Sequence, residues 1–189
     1  ITTAISRGNF TGGSYNGTNG AQITRFDDNW NLVGNPYPSA IRALDFLNLN
    51  TNIEGAVRLW THTNLPSSAI TSPFYGTTQS NYTPADYITY NGLGTVSGPL
   101  GFNGYIAGGQ GFFVQMNDGA AITQDVTFNN ALRSATYANN QFYRSSERDN
   151  QDLVASRIWL DIVDSANNSD RTLVGYTEGA TSEKDRLFD

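Results

Sequence analysis

The chain has 189 residues, among them 21 Asn, 20 Thr and 19 Gly, with one Lys against ten Arg and a formal net charge of −6 at pH 7. That length suffices to bury one core, and the surplus of Asn, Gly and Thr favours strands joined by polar turns over helices, which would draw on Lys, Glu and Ala. The acidic balance excludes a nucleic-acid partner, which needs a basic stripe; the lack of Cys excludes a disulfide framework or thiol chemistry; and no apolar run reaches the roughly 18 residues of a membrane-spanning helix.

In chain order, ITTAI at the start reads as an edge strand and gives way to a Gly/Asn-rich loop. Residues 21–26 alternate, and Asp27, Asp28 and Asn29 turn the chain into the next strand, an expected hairpin. Trp30 to Gly34 is that strand. In the NPYP segment after it, Pro36 and Pro38 fix their own φ near −65° and push Asn35 and Tyr37 out of the helical region, giving a stiff corner with Tyr37 pinned and buried. Ser39 is the expected N-cap of a short helix carrying Ile41, Leu44 and Leu47 at helical spacing.

Val57 and Leu59 alternate with Arg58 and Trp60 in a further strand, after which 61–84 forms a long polar insertion. DYITY at 86–90 reads as a strand, 91–104 as a Gly-rich connection, and 105–116 as a second apolar landmark, in which Gly108, Gly109 and Gly111 permit a bulge or a positive φ before FFV. AITQDVTF is another strand and 131–151 a long loop. Ile158, Leu160 and Ile162 alternate in the clearest strand, which DSANNSD joins to TLVGY as a second hairpin. The fold class expected is all-β, an antiparallel β-sandwich of jelly-roll type with one short helix after the NPYP corner. Trp30, Trp60 and Trp159 are assigned to its core.

Taken in order, WNLVGNPYPSA, NTNIEGAVRLW, GYIAGGQGFFVQM, FNNALR, RIWLDIVD and TLVGYTEGATSEKDRLFD resemble the region shortly before the carboxy-terminal sorting domain of large, adhesin-like proteins exported by type IX secretion. The resemblance implies a secreted or cell-surface, outer-membrane-associated location and a role in surface adhesion or gliding. It also implies the outer-membrane type IX translocon and its associated proteins as partners during export. The corresponding organisation is N-terminal strands and loop at 1–28, a sandwich core at 29–178, and at 179–189 the start of a linker to a sorting domain.

Chemistry-bearing residues are sparse. His62 is the single His, with no nucleophile elbow near it, and so anchors neither a Ser-His-Asp mechanism nor a zinc site. Asp161, Asp164 and Asp170, with Asn167 and Asn168, crowd one hairpin and are weak calcium candidates, without the EF-hand pattern; Asp27, Asp28 and Asn29 form a lesser one. Tyr75, Tyr82, Tyr87 and Tyr90 lie in or beside the long insertion and would form a sugar-stacking platform if exposed together. Trp30, Asn35, Pro36, Tyr37, Pro38 and Gly111 are read as structural. The expectation is a non-enzymatic surface module with no cofactor; the alternative is a carbohydrate-binding sandwich module whose partner is a surface glycan.

Overall fold

A computed structural model describes residues 1–8, 15–16, 22–23, 28–61, 67–69, 84–99, 101–141, 143, 157–163, 169–175, 181 and 185–186. Along them run strands β1 (Thr2–Ser6), β2 (Tyr15–Asn16), β3 (Gln22–Ile23), β4 (Trp30–Gly34) and β5 (Ile41–Arg42), then helix α1 (Ala43–Leu49). Strands β6 (Val57–Trp60), β7 (Tyr87–Asn91), β8 (Gly94–Ser97), β9 (Tyr105–Ile106), β10 (Gly111–Gln115), β11 (Thr123–Thr127), β12 (Arg157–Val163) and β13 (Ser169–Gly175) follow. The fold is mostly β, antiparallel throughout, with one short helix in a sandwich-like arrangement.

The principal sheet has five strands in the order β4-β10-β6-β7-β8, and β1 pairs with β11 in a second, two-stranded sheet. Side chains alternate across each strand, so one face of the five-stranded sheet delivers Val33, Val57, Leu59, Ile88, Phe112 and Val114 to the core. Ile5 and Val126 enter from the β1-β11 pair, and Phe46 and Leu47 from α1. Phe46 sits at the centre, edge-on to Phe112 with centroids 5.2 Å apart and tilted on Phe128 at 5.0 Å. Burying a side chain of this size contributes about 2–3 kcal/mol.

Side-chain amides do much of the joining between elements. Asn35 is buried; its Nδ2 donates to the carbonyls of Ser39, Ile106 and Ala107, and its Oδ1 accepts from the Tyr37 amide. Asn31 stands in for a strand partner of β1, with Oδ1 accepting from Ser6 N–H and Nδ2 donating to Ser6 C=O. Asn50 does the same for Thr127 at the end of β11. Asn139 bridges the Gly108 amide and the Pro38 carbonyl. A buried backbone group left unpaired costs roughly 1–3 kcal/mol, a penalty that the Asn35 amide removes at the Ile106 and Ala107 carbonyls.

Several expectations from the sequence are corrected. The strand at Trp30 pairs with β10, and Gln22–Ile23, the described part of its expected partner, pairs with β2. Asn29 explains the outcome: it is fully buried, donates to Met116 C=O, accepts from Gln115 Nε2, and so draws β4 onto β10. Ser39 caps nothing. Ile41 and Arg42 pair with β9, α1 begins only at Ala43, and Arg42 occupies the N-cap position without a side-chain cap. The 91–104 connection contains β8, because Asn91-Gly92 opens a hairpin in which Asn91 Oδ1 accepts from Leu93 N–H and Gly94 takes φ 120°. In the NPYP corner Pro36 and Pro38 are exposed and Tyr37 is half-buried; the buried residue is Asn35. Trp30 is 42% exposed, and Trp60 and Trp159 are half-buried, outside the core to which they were assigned. No helix among the described residues is long and apolar enough to cross a membrane.

Candidate binding face

The face of the five-stranded sheet turned away from the core carries a band of large side chains. Register aligns Leu32 on β4 with Phe113 on β10, Phe113 with Arg58 on β6, Arg58 with Thr89 on β7, and Thr89 with Ser97 on β8. Trp60 lies directly opposite Tyr87, and Trp30 opposite Gln115. Trp30 and Leu32 are the exposed members, Leu32 at 65%. Phe113, Arg58, Trp60 and Tyr87 are half-buried.

The band is ordered internally. Arg58 reaches over β10 to place its guanidinium carbon 4.4 Å from the Trp30 ring centroid, a cation–π contact of about 0.5–2 kcal/mol. Phe113 meets Tyr87 edge to face at 5.9 Å. Burial pulls the Arg58 guanidinium below its ordinary pKa, while Glu54 nearby raises it. Its Nη1 is buried without a hydrogen-bond partner. The result is an aromatic band with a cation stacked over Trp30, exposed to a further apolar surface at Trp30 and Leu32.

A family model described as Domain of unknown function (DUF8693) matches residues 1–189. The chain belongs to that family. No curated protein and no solved structure matches the chain.

Of the four tyrosines proposed as a sugar platform, the two described in this family member, Tyr87 and Tyr90, do not converge. Tyr75 and Tyr82 lie outside the described residues. Tyr87 belongs to the band just described, whereas Tyr90, three residues on, points to the opposite side, packs on the core, and meets Phe102 edge to face at 5.0 Å. The odd spacing on a strand decides it, since residues three apart face opposite ways. What the sequence reading missed is the row Leu32, Phe113 and Arg58 beside Trp30. The signal present was the alternation of Trp30 and Leu32 against Val33; which side is buried depends on the pairing with β10.

The calcium candidates fare differently. Asp161 on β12 stands directly opposite Arg171 on β13, accepts from its Nε and, at 2.7 Å, from its Nη2, and is held below the usual carboxylate range by that hydrogen bond. This carboxylate is already engaged by a cation. Asp164 and the side chain of Asp170 lie outside the described residues, as does His62. Among the described residues no group of three or more metal-ligating side chains gathers to hold an ion, and the amide of Asn29 is consumed by Gln115 and Met116. Gly111 has φ outside the left-handed region; Gly109 takes the positive φ of 75°.

Proposed function

We propose that this domain is a non-enzymatic, adhesin-like module of a secreted or cell-surface protein, and that it makes contact through the outer face of its five-stranded sheet. The observation that carries the reading is the exposure of Trp30 and Leu32 side by side on a rigid strand, backed by Phe113, Arg58, Trp60 and Tyr87. Exposed apolar clusters of this kind mark interaction surfaces. The resemblance to the region before a type IX sorting domain supports export through an outer-membrane translocon and a role in surface adhesion or gliding. The carbohydrate-binding alternative is favoured by one feature, the aromatic character of the band, with Tyr87 as the member of the earlier platform that belongs to it.

The test is a binding screen of the purified domain against a glycan array and against protein-coated and hydrophobic surfaces, with and without calcium. Saturable retention on surfaces without glycan supports the adhesin reading, and selective retention by one sugar class supports the carbohydrate module. Calcium dependence of either would restore the Asp161 hairpin as a site. Absence of retention on every surface sinks both readings.

A further inference from the structure

A second site is built from other residues, beside the NPYP corner. Ser39, Asn130, Arg133, Ser134 and Ala135 line an open groove of about 310 Å³, at the small end of ligand pockets, which run from about 300 to 1,000 Å³. Its geometry follows from local sequence. Asn129 Oδ1 accepts from the Ala131 amide and caps a single helical turn, Asn130–Leu132. Leu132, 2% exposed, anchors that turn in the core, and Arg133 is fixed next to it by a bridge to Ile41.

The Arg133 guanidinium is held in place twice. Its carbon lies 4.3 Å from the Tyr37 ring centroid, and its Nη2 donates to Asn130 Oδ1 at 2.6 Å. Tyr37 in turn is set by Asn35, whose Oδ1 takes the Tyr37 amide. Asn130 is the one hydrogen-bond partner of the Arg133 side chain among the described residues, and no carboxylate there pairs with it. A cation held over a ring, oriented by a neutral amide and without a counter-charge among the described residues presents its remaining N–H groups as a planar fork, the geometry that matches a carboxylate.

We propose that this groove binds the carboxylate of an acidic sugar, a hexuronate, with Arg133 receiving the carboxylate and Ser39, Asn130 and Ser134 meeting hydroxyls. One arginine suits a planar monoanion. A dianionic phosphate draws on several donors or cations, and the net charge of −6 disfavours it further. The inference goes beyond the adhesion reading, because it uses none of the sheet-face residues and stands or falls separately.

The experiment is an NMR titration of the intact chain, following backbone amides and arginine Nε–H signals, with methyl glucuronide, with the neutral methyl glucoside and with inorganic phosphate. An open site with a single charged fork is expected to saturate with uronate at roughly millimolar concentrations, shifting Arg133 Nε–H and the amides of Asn130 and Ser134. Arg133→Gln is expected to weaken binding by about tenfold or more, the loss of a charge-assisted pair. Arg133→Lys, which keeps the charge and loses the fork, falls between. Since Arg133→Gln also disturbs the Tyr37 stack, Ser39→Ala provides a second variant with the stack intact and with the Ser134–Thr136 turn left in place, expected to lose affinity severalfold for uronate. No saturable shift with uronate, equal shifts with the neutral glucoside, tighter binding of phosphate, or unchanged affinity in both Arg133→Gln and Ser39→Ala would each overturn the proposal.

Discussion

At the scale of single residues the corner after β4 rests on one missing methyl group. A Cβ built on Gly108 would lie 2.5 Å from the Pro38 carbonyl carbon, 2.6 Å from its oxygen and 2.8 Å from the Tyr37 oxygen, all backbone atoms that cannot swing aside. Gly108→Ala is therefore expected to destabilise the domain by about 1–3 kcal/mol, the range for forced overpacking. Gly34→Ala is the comparison: a Cβ there meets nothing within 4 Å, and Ala in a strand is favoured over Gly by about 0.5–1 kcal/mol. Equal losses in urea denaturation of the two variants would show that the close approach of Gly108 to Pro38 is not what fixes the corner. The sequence showed three glycines near one another, but not which of them touched the corner, because that contact joins residues 70 apart.

At the scale of elements the strands with clean alternation, β6 and β10, were legible, since period two is a local property. Those decided by distant partners were not. Ile41 and Arg42 sit at a spacing that fits a helix, yet pair with β9, and the tertiary ladder overrides local propensity. Asn31 reads only as a polar position of its strand and Asn50 carries no local signal; their amides complete strand edges 25 and 77 residues away. The β12-β13 hairpin was legible because its turn and both strands are contiguous, and its cross-strand ion pair has a consequence for pH. The Asp161 carboxyl titrates below its ordinary 3.8 in the folded protein, so the pairing is present above that value and is lost as pH falls through the depressed one. An NMR titration should find the low value in the wild type and a return to the ordinary range in Arg171→Gln. The same titration point in both proteins would contradict the pairing.

Across the whole molecule, the C-terminal stretch adds a contact that its sequence did not announce. Arg186 donates to the carbonyls of Leu47 and Asn50 at the end of α1, where a cation meets the negative pole of the helix. Burial lowers the Arg186 pKa against an opposing effect of Glu54. Arg186, within the stretch 179–189, is thus tied to the end of α1. The sandwich-like architecture followed from composition and turn spacing, and the binding face did not, because it is a row across five strands whose sequence order differs from their spatial order. Trp30 looked like a core residue for the same reason: its strand has one buried face, and the face occupied by Val33 is the one that β10 turns inward.

The contact proposed for the outer face of the five-stranded sheet is separable from the fold. The direct measurement is surface retention and melting temperature of a Trp30→Ser, Leu32→Ser double variant, taken on the same preparation beside the wild type. Both residues are exposed, so the melting temperature is expected to shift by only a few degrees, as befits a stability change of about 1 kcal/mol, while retention is lost. Retention equal to that of the wild type would contradict the claim and move the contact surface elsewhere on the domain.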